Sequence, residues 1–68
     1  MKVWIAFHGW DYEGDSVIGV HHTFEAARNR CMENMGNNSS KFSLTERGEE
    51  FFAQWGRENY TIYSYDVE

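Results

Sequence analysis

Residues 43–55 read SLTERGEEFFAQW, and the fold depends on whether they form a helix or a strand. We favour a helix, because the segment from Ser43 to Glu46 matches a capping box. One predicted helical face would then be lined, at helical spacing, by Leu44, Gly48, Phe51, Phe52 and Trp55. Gly48 inside that helix would cost about 1 kcal/mol relative to alanine. The competing interpretation makes 50–55 a strand that turns through 56–59 into the last strand.

The first 22 residues have the pattern of a β-hairpin. Residues 3–8 carry apolar side chains on both faces, which is typical of a central strand. Residues 9–15 form the turn region, punctuated by Gly9 and Gly14. Residues 16–22 are rich in β-branched side chains and supply the second, antiparallel strand.

A helix is predicted after the hairpin. Thr23 is the expected N-cap, Glu25 suits the positive end of the helix dipole, and Gly36 is the expected C-cap. The residues predicted to form its buried stripe are Phe24, Ala27, Cys31 and Met35, widened by Ala26 and Met32. Residues 37–40 have the composition of a loop.

These segments together predict an α+β fold in a single domain, residues 1–68. The last strand covers 60–67, and a right-handed crossover through the helix makes it parallel to the second strand. The expected architecture is a three-stranded antiparallel sheet of ββα(α)β order with strand one central. The main helix packs on one face, and 43–55 supply a possible second short helix.

Composition narrows the classes of function. The chain has 68 residues, a net charge of −5, twelve aromatic residues, no proline and one cysteine. A lone thiol forms no disulfide within the chain and fits a reducing cytoplasm. The acidic charge disfavours direct binding to nucleic acid or anionic membranes. The N-terminal apolar run is too short for a signal peptide or a membrane span.

The sequence carries no convincing catalytic or metal site, and we predict no enzyme and no cofactor. Asp11, Glu13 and Asp15 occupy the first three ligand positions of a calcium loop, but Ser16 and His22 stand where glycine and glutamate are needed. A three-histidine zinc site is disfavoured, because His8 and His21 are expected about 13 Å apart along the hairpin. Cys31 lies on the buried stripe of the predicted helix and is interpreted as a core residue.

The chain also resembles a group of small, uncharacterised bacterial and bacteriophage domains. The resemblance is carried by VWIAFH (3–8), DYEG (11–14), VIGV (17–20), TFEAA (23–27) and the closing strand YTIYSYDVE (60–68). It covers residues 2–36 and 60–68, and it implies hairpin, helix and aromatic closing strand in that order. It also implies a phage or prokaryotic origin, and the cytoplasm expected from the lone thiol would be that of a bacterial host cell if the protein is phage-encoded. Small acidic phage proteins are often inhibitors of host machinery, including anti-CRISPR proteins.

We therefore expect a small acidic protein-interaction module that docks on a basic surface of a host defence or nucleic-acid-handling complex and inhibits it. The residues predicted to meet the partner are Trp10, Asp11, Tyr12, Glu13, Asp15, Glu49 and Glu50. Carboxylates would pair with basic side chains, and aromatic rings would anchor the contact. The alternatives are an oligomer, such as a homodimer, that binds a nucleotide-like ligand between tyrosines and histidines, and a metal-dependent enzyme.

Overall fold

Strands make up most of the fold in the computed structural model, which describes residues 1–10 and 13–67. The described residues form one antiparallel sheet whose strands are β1 (Lys2–Trp10), β2 (Gly14–His21), β3 (Ser43–Arg47), β4 (Glu50–Trp55) and β5 (Glu58–Asp66). Between β2 and β3 the chain forms the helix α1 (Phe24–Met35) and a short 3₁₀ helix (Gly36–Lys41) in place of the expected loop. The class is α+β, but the prediction of a three-stranded sheet is wrong.

The error lies in residues 43–55, which form the hairpin β3–β4 and not a helix. In β4 the side chains alternate: Phe51 is 2% exposed whereas Phe52 is 40% exposed. Gly48 has a φ of 59° in the two-residue turn between the paired residues Arg47 and Glu50. Hairpin turns of the I′ and II′ types require this positive φ, and glycine adopts it without strain. The capping-box residues Ser43 and Glu46 therefore belong to an edge strand.

A second two-residue turn joins β4 to β5. Trp55 pairs with Glu58 across it, and Gly56 has a φ of 60°. The last strand consequently begins at Glu58, two residues earlier than the sequence suggested. Both turns thus use glycine to connect strands that are adjacent in the sheet.

The strand order is β2-β1-β5-β4-β3. β1 lies between β2 and β5, as expected of strand one, but the added hairpin makes β5 the middle strand of the whole sheet. Within the first hairpin, Ala6 pairs with Gly19 and Phe7 with Val17, so Ile18 is the extra residue of a β-bulge. Ile18 is partly buried against the core.

The helix has the predicted ends, and of its predicted stripe Ala27, Cys31 and Met35 are buried, whereas Phe24, Ala26 and Met32 are partly buried. The backbone N–H of Ala26 donates to Oγ1 of Thr23 at 3.1 Å, and the N–H of Gly36 donates to the carbonyl of Met32. The core, which includes three alanines that let the helix approach the sheet, consists of Ala6, Ala27, Cys31, Met35, Phe42, Phe51, Ala53, Tyr60 and Ile62. An ion pair between Arg28 and Glu46 ties the helix to the outermost strand β3.

The sheet has two faces of different character. The helix face is covered by α1, and the paired residues His8 and Tyr60 and the paired residues Ala6 and Ile62 point towards it. The opposite face, called the open face below, carries no element of the described chain. Because side chains alternate along a strand, the open face contains Val3, Ile5, Phe7, Val17, Val20, Phe52, Thr61, Tyr63 and Tyr65.

Candidate functional site

The open face bears an exposed apolar patch. The open-face patch is defined by the five residues on this face that remain 40–58% exposed, namely Val17, Val20, Phe52, Tyr63 and Tyr65. On the helix face Phe51, Tyr60 and Ile62 are buried, whereas Leu44 in the edge strand and Trp10 and Trp55 at one end of the sheet are 40–44% exposed. A surface of this kind is typical of a contact site for another macromolecule.

The open-face patch lies on β2, β4 and β5, and half-buried residues of β1 connect its two sides because of the register. Ile5 of β1 pairs with Val20 on one side and with Tyr63 on the other. The rings of Phe7 and Tyr63 meet edge to face, with centroids 5.5 Å apart and an interplanar angle of 74°. Such pairs hold aromatic rings in defined positions. Half-buried side chains of β1 thus support the exposed residues on both sides of it.

A shallow groove of about 410 Å³ runs along the β3–β4–β5 side of the sheet. Phe52 and Tyr63 provide apolar walls, and Arg47 and Glu50 add charges of opposite sign. The groove is open to solvent, so it suits a segment of another protein better than an enclosed small molecule.

A second surface lies on the helix side, at the end of the sheet where β1 finishes and β5 begins. Glu58 pairs with Trp10 on one side and with Trp55 on the other, so the three side chains form a row across three strands. Trp10 is 44% exposed and Trp55 is 40% exposed. They border a cleft of about 360 Å³ together with Asn38, Gly56, Arg57 and Glu58, which we call the tryptophan cleft.

An unbroken series of rings connects the two tryptophans. Trp10 lies 5.3 Å from His8, which stacks on Tyr60 at 4.5 Å with an interplanar angle of 8°. Tyr60 lies 5.4 Å from Phe42, and Phe42 lies 5.7 Å from Trp55, all measured between ring centroids. The buried hydroxyl of Tyr60 accepts a hydrogen bond from Nδ2 of Asn34 at 3.1 Å, and desolvation raises the pKa of Tyr60. The cleft is therefore supported from below by the core.

The structure separates the residues that the sequence assigned to the partner contact. Trp10 and Asp15 lie where the first hairpin turns, whereas Glu49 and Glu50 lie at the opposite end of the sheet. Asp11 and Tyr12 lie outside the described residues. The predicted residues thus do not form one continuous contact surface in the described part of the chain.

The individual carboxylates differ in their surroundings. Asp15 is exposed, but its carboxyl group lies over the backbone of Gly9, where an added Cβ would collide with it. Oε2 of Glu49 lies 3.9 Å from Nζ of Lys2, and the side chains of both residues are exposed. The backbone N–H of Glu13 donates to the carbonyl of Trp10 at 3.2 Å, which places Glu13 in the turn.

The histidines and the cysteine do not form a reactive group. His21 pairs with Trp4 on the helix face, and the ring of His8 is stacked on the ring of Tyr60. Burial raises the pKa of the Cys31 thiol to about 11, which disfavours the nucleophilic thiolate. Residues 1–10 and 13–67 hold no group of three or more His, Cys, Asp or Glu side chains placed to bind a metal ion.

Most of the open-face patch and the partners of Trp10 in its cleft are not predicted from the sequence. The sequence marks Val17 and Val20 only as β-branched strand residues, and it places Phe52 and Trp55 on a helical face. The alternation along β4 was the available signal for Phe52. No local pattern places Glu58 beside Trp10, because that pairing joins distant parts of the chain.

No helix in the described part of the chain has the length and apolar character needed to cross a bilayer. The sequence matches no family model and no curated protein, and the fold matches no solved structure.

Proposed function

We propose that this protein is a non-enzymatic protein-interaction module that docks on its partner through the open face. The observation that carries the proposal is the open-face patch, each member of which is 40–58% exposed. Its three half-exposed aromatic side chains alone present roughly 300 Å². An apolar patch of that size is comparable to the largest patch on a typical monomeric protein, and such patches are often functional. The patch would form the apolar centre of an interface, with polar side chains around it.

The partner's surface is apolar in the middle and basic around it. The chain carries a net charge of −5, and the open face carries Asp15 at one end of the sheet and the paired residues Glu50 and Arg47 at the other. Two copies of the chain placed face to face would each bring this net negative charge to the contact, which opposes a homodimer. A basic partner surface is complementary to the same charges and is attracted from a distance.

In the specific form suggested by the sequence resemblance, the module is an anti-CRISPR-like, phage-type inhibitor. It would cover a basic surface of a host defence or nucleic-acid-handling complex and so exclude that complex's own ligand. Direct binding to nucleic acid is not part of the proposal, because the groove beside Tyr63 is lined by Glu49 and Glu50 as well as Arg47 and not by a cluster of basic residues.

The oligomeric ligand-binding alternative has less support from the fold. It requires tyrosines and histidines to line one pocket between sheet faces. Tyr63 and Tyr65 lie on the open face, whereas His8 and His21 lie on the helix face. Two copies that buried their open faces would therefore leave both histidines outside the pocket.

Affinity capture from bacterial lysate tests the proposal when matched variants are compared. The double variant Val20→Thr with Tyr63→Thr removes apolar surface from the patch and keeps residues suited to strands. Leu44→Thr is the control, because Leu44 is also 40% exposed but belongs to the edge strand β3 and points to the helix side. We expect wild type and control to recover the same basic protein, and the double variant to lose at least tenfold of it.

Light scattering of the purified chain completes the test. We expect a monomer, because like charges oppose pairing of the open faces. A dimer that dissociates in the double variant would overturn the proposed partner class, since a second copy would then occupy the patch. Recovery of the same protein in equal yield by the double variant would overturn the role of the open face.

A further inference from the structure

We propose that the tryptophan cleft binds an alkylated ammonium group, such as the quaternary ammonium of choline or of a trimethyllysine side chain. The cleft lies on the helix side at one end of the sheet, whereas the function proposed above uses the open face. The inference therefore goes beyond that function and does not depend on it.

The register gives the cleft the spacing of a cation cage. Trp10 and Trp55 are each paired with Glu58, so they stand on alternate strands and on the same side of the sheet. Neighbouring strands are about 4.8 Å apart, which separates the two tryptophan backbones by roughly 10 Å. Because both tryptophans border the same cleft of about 360 Å³, a cation held in it can approach the two rings within the reach of about 6 Å over which a ring attracts a cation.

Glu58 supplies the charge at the base of the row. Its side chain is 23% exposed and its Oε1 lies 3.8 Å from Nε2 of His8, so the carboxylate is held close to the ring series. A carboxylate that borders the same cleft as two electron-rich rings favours a cation there and disfavours an anion. The half-buried position strengthens this preference, since the effective dielectric there is lower than in bulk water.

The cleft is built before any ligand arrives. Trp10 leans on His8, and Trp55 leans on Phe42, each at less than 6 Å between ring centroids. The series of rings between them passes through the buried Tyr60. A preformed site of this kind loses little side-chain freedom on binding. Surface tryptophans that served only to complete the core would not require both rings to stay more than one third exposed.

Trp55 already attracts a cation from its own chain. Nζ of Lys41 lies 5.1 Å from the centroid of the Trp55 ring. Lys41 borders a neighbouring groove with Ser43 and Gln54, and it is not among the residues that line the tryptophan cleft. The ring therefore borders two depressions, one supplied with a lysine by the chain and the other open to an external cation.

Arg57 is the competing charge, because its side chain lines the cleft beside Glu58. Among the described residues, the cations lying over tryptophan rings are Lys2 and Lys41, and Arg57 is not one of them. A quaternary ammonium is favoured over a bare lysine or arginine, because it sheds its water readily and fills apolar walls with methyl groups. Because Arg57 adds a positive charge to the same cleft, removing it is expected to tighten the binding of a quaternary ammonium.

Tryptophan fluorescence and calorimetry with small probes test the inference. Choline is compared with 3,3-dimethylbutan-1-ol, a neutral molecule of the same shape. We expect saturable choline binding that is at least fivefold tighter than binding of the neutral analogue. A second arm compares the amides of Nα-acetyl-trimethyllysine and Nα-acetyl-lysine and thereby distinguishes a protein side chain from a free quaternary amine. Equal binding of choline and its neutral analogue would overturn the inference.

Variants locate the site. Trp10→Leu and Glu58→Gln should each weaken choline binding at least fivefold, whereas Arg57→Gln should strengthen it about two- to fivefold. The double variant Val20→Thr with Tyr63→Thr should leave choline binding unchanged, which separates this inference from the function proposed for the open face. Circular dichroism establishes that each variant is folded. Unchanged choline binding in folded Trp10→Leu would place the ligand elsewhere and overturn the assignment.

Discussion

The two faces of the sheet follow the same alternation of side chains, yet only one of them is closed by a helix. The helix face carries Ala6 and Ala53, and Ala27 faces them from α1, all with 0% exposure. The open face carries β-branched and aromatic side chains, which alternate with the helix-face residues along the same strands. Small residues let two layers approach closely, whereas large exposed rings offer area to a separate molecule. The difference indicates that stability resides on the helix face, and it supports the proposal that recognition uses the open face.

Adjacent phenylalanines provide the strongest test of this division. Phe51 is buried on the helix face and Phe52 is 40% exposed on the open face. Phe51→Ala should lower the free energy of unfolding by about 3–5 kcal/mol, because it empties a core position. Such a loss approaches the whole stability of a domain this small. Phe52→Ala should cost no more than about 1 kcal/mol, since much of its ring is already in water.

Urea unfolding followed by far-UV circular dichroism measures the loss of unfolding free energy in both variants. We expect the urea midpoints to shift while the m-value stays unchanged. The two single variants control each other, because they remove the same side chain from neighbouring positions of one strand. Equal losses for Phe51→Ala and Phe52→Ala would mean that the open face is covered in solution, and the proposed division between the faces would fail.

The sequence predicted the segments whose signals are local. The Thr23 cap, the stripe from Ala27 to Met35 and the Gly36 cap each depend on residues within a few positions of one another. The first hairpin was recognised for the same reason, although its bulge at Ile18 was not. Local patterns could not supply the order of the five strands, because strand pairing is set by contacts between distant residues.

Residues 43–55 show why one local signal can mislead. Phe51, Phe52 and Trp55 fit a helical stripe as well as they fit alternation, because a run of six residues is too short to distinguish the two periods. The glycine at 48 decided the outcome, because its positive φ forms a hairpin turn where the helix would have continued. The tryptophan cleft was hidden for a different reason: Trp10 and Glu58 meet only after β1 pairs with β5.

The dependence of stability on pH tests the burial of Cys31 and Tyr60 on the helix face. Burial raises the pKa of the Cys31 thiol from its ordinary value of 9.0 to about 11. The folded protein therefore holds this proton more tightly than the unfolded chain does, so the associated stability is complete below pH 9 and is lost as the pH rises towards 11. Two pKa units correspond to about 2–3 kcal/mol. The raised pKa of Tyr60 acts in the same direction.

The urea midpoint of the wild type should fall as the pH is raised from 8 to 11. The midpoint of Cys31→Ala should fall less steeply over the same range. The rate at which a thiol reagent modifies Cys31 gives an independent readout, because a buried thiol reacts only when the helix opens. Modification at the rate of a free thiol at pH 8 would show that α1 does not cover the helix face.

The smallest predicted effect concerns the turn that sets which phenylalanine faces which way. Gly48→Ala forces a side chain into the left-handed region, and no atom lies within 4 Å of the added Cβ. The cost is therefore conformational and should be about 1 kcal/mol, with Gly48→Asn costing less because asparagine tolerates this region better. Glu49→Ala, in the same turn, is the control and should change stability by under about 0.5 kcal/mol. A larger loss for Glu49→Ala than for Gly48→Ala in urea unfolding would show that side-chain contacts, and not the backbone of Gly48, fix the register of β3 and β4.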